Sequence, residues 1–459
     1  MGWLGVVTVG RERADYYMAD LGAEPDRCPP RWAGRGAAAL GLRGPAGPGG
    51  LAALLAGEHP GTGRRLPHRP VAVAAYDLTF SAPKSVSLLA AFGGPSVGDE
   101  VVAAHGRAVG SALDYLEDRA AAARRSVPGG RVLLETDGLV GVAFVHHVSR
   151  ALDPHLHTHL LVANAARGAD GRFGTLDGRG LFAHGAAAGR LYGAHLRAEL
   201  GEGLGVRWQR RPDGRVDVEG VDPVLLGAFS SRRAEIMGEL GPGHGRSWRA
   251  RRVAWAATRE QKWSPDRATL QARWSEHAAS LGLDPGSLHR VLDRPPETGP
   301  ALDEHRFAAA LSVAPASGVT RRDVVAAWCD GARPGSRGSD VTACVDQWRP
   351  AVDEARGVAE PRRAAAVPPP WLLGALGPRP LAPKELGLWR ATARALERYR
   401  TRWSVDDPRR ALGPDPSTAV STAHLAERLA VVRQLEETRL RLGRRTPARE
   451  RLERSIGRD

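Results

Sequence analysis

The stretch "DPHLHTHLLVAN" (residues 153–164) has histidines at three alternate positions in an otherwise apolar run. Successive side chains of a β-strand point to opposite faces, so the three histidines share one face of a predicted strand. The preceding run "GLVGVAFVHH" (138–147) predicts a second strand, and "SRALDP" can connect the two as a hairpin turn. Closing this hairpin places His146 directly opposite His157.

The hairpin register predicts a metal site. Directly opposed residues of paired strands have Cβ atoms about 4.5–5.5 Å apart, and diagonal neighbours about 7–8 Å. His146, His157 and His159 can therefore converge on one divalent cation. Three neutral imidazoles leave coordination positions open, which is typical of catalytic metal sites. Imidazole suits several metals, so the choice among Mg, Mn, Zn and Ni stays open.

Two alternatives to this ligand set follow from the same stretch. His155 and His147 become the candidate ligands if the strand register is shifted by one or two residues. A polar, solvated strand face without any metal is the other alternative.

The stretch "YDLTFSAPKSVSLL" (76–89) predicts a strand followed by a helix. Alternation puts Asp77 and Thr79 on one strand face, and Ser81 is the expected N-cap of the helix, with Pro83 in its first turn. A helix N-terminus with hydroxyls and Lys84 beside it can hold a phosphate group. The alternative is an ordinary capped junction between a strand and a helix.

Composition restricts the class of protein. The chain has 65 Lys and Arg residues against 51 Asp and Glu, a net charge of +14, which favours a polyanionic partner. Its three widely spaced cysteines form neither a disulfide framework nor a CxxC motif, which suits a reducing compartment. No run approaches the roughly 18 apolar residues of a membrane span. We therefore expect a cytoplasmic protein without membrane insertion.

The pattern along the chain predicts three parts. Residues 1–295 alternate strand-like and helix-like runs, which indicates an α+β domain. Residues 296–385 form a Pro/Gly-rich linker region with short helices, and residues 386–459 form a mostly helical Arg-rich tail. We expect residues 301–459 to take no part in the chemistry and to serve DNA or a partner protein. No lysine follows glycine, so the chain has no P-loop and no helicase motif.

Four motifs in a fixed order resemble a known family. They are "RADYYMADLG" near the N-terminus, "PRWAGRGAAALGLRG" (30–44), and the two stretches at 76–89 and 153–164. Together they resemble the relaxase domain of TrwC/TraI-type (MobF) conjugative relaxases over roughly residues 1–290. The resemblance implies the HUH relaxase fold, in which an antiparallel sheet with helices on one side carries histidine ligands on its central strands.

The resemblance also implies an activity. The chain would nick and rejoin one strand of DNA at an origin of transfer through a 5′-phosphotyrosine intermediate, with single-stranded DNA as its partner and conjugation accessory proteins as further candidates. His157 and His159 match the family's HxH pair and His146 matches the upstream ligand, whereas His155 stands where these relaxases often have Gln.

The remaining site residues follow from the same resemblance. Asp77 matches the acid that orients or deprotonates the nucleophile. Tyr16 matches the nucleophile, with Tyr17 in a supporting role. We add Ser81, Lys84 and Arg150 as candidate DNA-binding residues.

Other interpretations of the chain stay open. Relatives often carry two tyrosine pairs, but no tyrosine lies between Tyr17 and Tyr76, so a scheme with two nucleophiles is not expected and the single pair can match either of the two. A catalytically inactive or truncated relaxase relative that binds single-stranded DNA is one alternative. A metal-dependent hydrolase of small molecules is another, although it would explain neither the charge nor the ordered motifs.

Overall fold

A computed structural model gives the fold of most of the chain, in two compact units that comprise residues 1–125 with 135–362 and residues 126–134 with 363–459. The predicted nucleophiles Tyr16 and Tyr17 lie outside the described residues. The structure describes residues 3–10, 29–66, 72–127, 130–231, 235, 265–295, 302–312, 319–343, 345, 370–377, 380, 383–405, 407, 410–413 and 422–443.

An antiparallel five-stranded sheet forms the centre of the first unit, with the strand order β1-β3-β7-β6-β2. The described chain also has three two-stranded sheets, which pair β4 with β5, β8 with β9 and β10 with β11. The strands of the described chain are β1 (Leu4–Gly10), β2 (Arg31–Ala33), β3 (Val73–Ser81), β4 (Ala123–Val127), β5 (Gly130–Leu134), β6 (Gly141–Val148), β7 (Pro154–Ala163), β8 (Ala166–Arg167), β9 (Phe173–Gly174), β10 (Trp208–Arg210) and β11 (Val216–Val218).

The helices include two long ones that the apolar period of the sequence predicts. Within the described residues, no helix combines the length and apolarity needed to cross a bilayer. The helices are α1 (Arg35–Ala39), α2 (Pro48–Ala56), α3 (Lys84–Phe92), α4 (Pro95–Arg119), α5 (Gly178–Leu204), α6 (Pro223–Ala228), α7 (Arg267–Ser280), α8 (Glu304–Ser312), α9 (Arg321–Gly331), α10 (Pro370–Leu376), α11 (Pro383–Arg402) and α12 (Thr422–Arg441), with a 3-10 helix at Pro285–Val291.

The long helices cover one face of the sheet. Leu156 and Leu160 of β7 are buried on this face, in one apolar cluster with Val101 of α4 and Leu191 of α5. The predicted α+β fold with an antiparallel sheet is therefore confirmed, and its two long helices lie on one side of the sheet.

The second face of the sheet is covered in part. Leu54 and Leu55 of α2 share an apolar cluster with Phe144 of β6 and Leu161 of β7. The candidate ligands lie on this same face: His146 is two residues beyond Phe144 on β6, and His159 is two residues before Leu161 on β7. The fold thus places the histidines beside a small core.

The second unit is helical in its described part, as predicted for the tail. Helices α10, α11 and α12 share an apolar core that includes Trp371, Leu396 and Val431. The guanidinium of Arg400 lies 4.4 Å from the centre of the Trp371 ring, so part of the arginine content contributes to packing.

Part of the predicted linker region belongs to the core of the first unit. Helix α9 packs against α5, and its Val324 and Val325 are buried in the main apolar cluster. The buried guanidinium of Arg197 in α5 donates to the carbonyls of Cys329 (2.8 Å) and Ala332 (2.9 Å). A domain boundary at residue 295 would leave this segment out.

Truncation tests the importance of this packing. We expect a chain ending at residue 295 to unfold roughly 5 °C below one ending at residue 362, because it loses the cover that α9 gives to α5. That difference corresponds to about 3 kcal/mol, the contribution of one or two buried aliphatic side chains. Thermal unfolding followed by circular dichroism measures it. Equal melting temperatures would show that the segment adds nothing to the stability of the first unit.

Candidate metal centre and active site

The paired strands β6 and β7 bring three histidines together. His146 lies directly opposite His157, as the hairpin predicts, and the register shifts between His146 and Val148. The ring centroids are 5.0 Å apart for His146 and His157, and 5.2 Å for each of these with His159. Each ring offers one nitrogen such that the three atoms lie within 4.8 Å of one another.

The neighbouring strand β3 orients one of these rings. The His159 Nδ1 donates to the buried carboxylate of Asp77, at 2.9 Å from Oδ2 and 3.0 Å from Oδ1. Thr79, which pairs with His159 across the strands, donates from its hydroxyl to Asp77 at 3.3 Å. A carboxylate on Nδ1 fixes the tautomer and the ring orientation, so the Nε2 of His159 is available to a metal.

A backbone carbonyl orients the ring of His157, as Asp77 orients that of His159. Its Nδ1 donates to the carbonyl of His155 at 2.9 Å, which leaves its Nε2 as the ligand atom. Burial lowers the pKa of His157 well below its usual value, so the ring is neutral. Neutral imidazoles with engaged Nδ1 atoms are the donors that a borderline divalent metal accepts, so the residues present fit a cation of this class.

His155 and His147, the alternative ligand candidates, do not join the cluster. The His155 ring stacks on the His157 ring, with centroids 4.6 Å apart and 25° between the planes. Burial, together with the charge of Lys84, lowers the pKa of His155 to about 3. His147 lies where the strand register shifts. The set of converging nitrogens contains neither residue.

The start of α3 differs from the prediction. Ser81 is the last residue of β3 rather than the N-cap, and Pro83 holds the N-cap position without a side-chain hydrogen bond. The reason is that the Ala82 amide still donates to the Leu156 carbonyl at 3.0 Å, so strand pairing continues past Ser81. Ser81 instead pairs with His157 and lies on the face of the histidine cluster.

The other two candidate DNA-binding residues, Lys84 and Arg150, lie near the start of β7. The ammonium of Lys84 donates to the Pro154 carbonyl at 2.6 Å, and burial lowers the pKa of this lysine to about 8. Arg150 lies in the turn between β6 and β7. DNA binding by these residues stays a prediction.

Thr79 is a site residue to which the sequence interpretation gave no function. Its hydroxyl lies 3.2 Å from the Nδ1 of His159 as well as near Asp77. The sequence could have indicated this function, because alternation in "YDLTF" places Thr79 on the same strand face as Asp77.

A family model described as TrwC relaxase matches residues 7–281 of the chain. The chain belongs to the TrwC relaxase family. The resemblance seen in the ordered motifs is thereby confirmed, and the histidine cluster lies inside the matched region.

Individual relatives agree with this membership. The chain is 32% identical over 302 residues to the multifunctional conjugation protein TraI of Escherichia coli, a match that covers 62% of this chain and 16% of TraI. The chain therefore corresponds to about a sixth of the length of TraI.

Solved structures of the conjugative relaxase TrwC are also similar. A metal-bound complex of TrwC with oriT DNA matches with a TM-score of 0.56 and 31% identity, over 61% of this chain and 99% of that chain. A copper-bound complex with oriT DNA matches with a TM-score of 0.56 and 30% identity, over the same shares.

Substitution of Asp77 tests the orientation of His159. We expect Asp77→Asn to weaken the affinity for a divalent metal by about 10–100-fold, the usual loss when the partner of a ligating histidine is changed. Calorimetric titration with Mn²⁺ measures this affinity. Thr79→Val, which leaves the carboxylate in place, should have a smaller effect. Unchanged affinity in Asp77→Asn would mean that the carboxylate does not orient the ligand.

Proposed function

We propose that the chain is a metal-dependent DNA relaxase, which nicks and rejoins one strand at an origin of transfer. The observation that carries this proposal is the convergence of His146, His157 and His159 on one face of the sheet, with Asp77 bonded to His159. Membership of the TrwC relaxase family and the likeness to TrwC complexes with oriT DNA support the substrate.

The three imidazoles would hold one divalent metal cation. When bound, such a cation would polarise a non-bridging oxygen of the scissile phosphodiester and offset the negative charge that develops during in-line attack. Metal-bound and copper-bound TrwC structures support a divalent ion, while its identity in this chain is left to measurement. Asp77 acts here as the residue that orients His159, because both of its oxygens lie within 3.0 Å of Nδ1.

The proposed nucleophile is Tyr16, with Tyr17 in support. The hydroxyl oxygen of Tyr16 bonds to the phosphorus, and the bond from the phosphorus to the 3′-oxygen of the preceding nucleotide breaks. The phenol loses its proton, and the departing 3′-oxygen takes up a proton to become a 3′-hydroxyl. The phosphotyrosine link conserves the phosphodiester, and attack by a 3′-hydroxyl reverses the step and rejoins the strand.

The other four tyrosines are poorly placed for this attack. All four are buried: Tyr76, Tyr115, Tyr192 and Tyr399. Tyr76 also precedes Asp77 on β3, so it points to the opposite face of the sheet. The N-terminal pair is therefore the source of the nucleophile in this proposal.

The DNA path is proposed from charge and position. The net charge of +14 favours a polyanion, and Ser81 lies on the histidine face opposite His157. Arg150 in the neighbouring turn would contact a phosphate. The ammonium of Lys84 bonds to the Pro154 carbonyl, so it would attract the DNA through its positive charge without contacting a phosphate directly.

The Arg-rich tail and the cellular location are further parts of the proposal. The tail would bind DNA or a conjugation accessory protein outside the nicking site. The protein would act in the cytoplasm, as its cysteine content suggests.

The metal ligands give the first test. We expect His157→Ala and His159→Ala each to reduce cleavage by more than about 100-fold, because a lost ligand exceeds the 10–100-fold effect of a lost supporting residue. Labelled single-stranded oligonucleotides tiled across the DNA that flanks the gene provide the substrate. His289→Ala, outside the cluster, serves as control. Unchanged metal stoichiometry in a variant that carries both His157→Ala and His159→Ala would refute the proposed metal site.

The nucleophile gives the second test. Phenylalanine keeps the ring and removes the hydroxyl, so Tyr16→Phe should lose the covalent DNA adduct while binding single-stranded DNA within a few-fold of the original chain. Tyr17→Phe should keep both properties. Denaturing gels detect the adduct, and peptide mapping locates it. Adduct on Tyr17 would reassign the nucleophile, whereas DNA binding without any adduct in the original chain would identify an inactive relative.

A further inference from the structure

A buried histidine on the other side of the sheet connects two long helices to the strand that carries the HxH pair. His105 in α4 is fully buried. Its Nδ1 lies 2.7 Å from the hydroxyl of Tyr192 in α5, and its Nε2 lies 2.7 Å from the hydroxyl of Thr158 in β7. Both ring nitrogens are therefore engaged, each with a different element.

Thr158 occupies the position between the two HxH histidines. Its side chain points to the helices, because those of His157 and His159 point to the opposite face. Leu156 and Leu160, the nearest residues on the helical side, make apolar contacts, which have no preferred direction. The hydrogen bond from Thr158 to His105 is directional, so it fixes the position of this part of β7 along and across the helices.

The network is complete only with both hydroxyls. Burial lowers the pKa of His105 to about 3, so the ring is neutral and has one donor and one acceptor nitrogen. The hydroxyls of Thr158 and Tyr192 can each take the complementary part. Loss of either leaves a buried ring nitrogen without its partner, an unfavourable state that the strand can relieve by moving.

We propose that His105 is a positioning residue for the metal centre. Through Thr158 it holds the segment of β7 on which His157 and His159 are neighbours, so that both rings reach one cation. This inference rests on the proposed metal-dependent nicking. The hydrogen bonds of His105 go to Tyr192 and Thr158, so its effect on His157 and His159 is exerted through Thr158.

A second buried pair provides an internal comparison. The hydroxyl of Tyr115 lies 2.9 Å from the Nδ1 of His184, and this pair connects the same two helices, α4 and α5. Neither residue lies on β7. Its disruption should lower stability in a similar way without moving the HxH segment.

Mn²⁺ titration of the full chain, followed by the electron paramagnetic resonance signal of the free ion, tests the proposal with three variants. Thr158→Val keeps the branched shape and removes the hydroxyl, and we expect a Kd about tenfold weaker, at the low end of effects of supporting residues. Thr158→Ser keeps the hydroxyl and should bind within twofold of the original chain. Tyr115→Phe should also bind within twofold. Thermal unfolding of each variant ensures that folded proteins are compared.

Nicking kinetics give a second readout. Thr158→Val should lower kcat, while its affinity for single-stranded DNA in the presence of a chelator stays unchanged. Original affinity for Mn²⁺ in Thr158→Val, or an equal loss in Tyr115→Phe, would overturn the positioning function and leave the metal centre intact. Failure of the unsubstituted chain to bind Mn²⁺, and also Zn²⁺ and Ni²⁺ in calorimetric titrations, would overturn the metal centre itself, together with this inference.

Discussion

The register of β7 between β3 and β6 is the constraint on which the site depends. A slip of one residue would exchange the two faces of the strand, so that His157 and His159 would enter the helical core and Leu156 and Leu160 would leave it. Burial of those leucines against α4 and α5 opposes such a slip. The same apolar pattern that folds the sheet therefore determines which face carries the ligands.

A buried charge completes the arrangement on that face. Burial of a carboxylate is unfavourable unless hydrogen bonds replace its water, and Asp77 receives them from His159 and Thr79. The dependence is mutual, because the ring that stabilises the carboxylate is itself held by it. On the reverse face, the neutral His105 network restrains the same strand without placing a charge in the core.

The sequence predicts those features that depend on local periodicity. Alternation of two residues identified the histidine face, the Asp77 and Thr79 face and the pairing of His146 with His157. Features that depend on distant segments could not be predicted in this way. Ser81 was expected to be a helix cap, but its neighbour Ala82 pairs with Leu156, more than 70 residues away in the chain. The hydrogen bond from Lys84 to the carbonyl of Pro154 joins residues 70 positions apart, so local periodicity could not predict it either.

The packing of the region beyond residue 295 was equally inaccessible to local patterns. Pro and Gly limit the helices of this region to short segments, but the composition carries no information about the surface on which they pack. The buried Arg197 stands in an amphipathic helix, and nothing in the neighbouring sequence identifies the carbonyls of Cys329 and Ala332 as its acceptors.

The buried guanidinium of Arg197 affects how the protein folds during its synthesis on the ribosome. Arg197 and Cys329 are separated by 132 positions. At a synthesis rate of about 5–20 residues per second, α5 waits roughly 7–26 s for its acceptors to be made. During this interval α5 can pack on α4 and β1, but its face for α9 has no cover, so Arg197 and its apolar neighbours stay accessible to a chaperone that binds apolar segments near the ribosome.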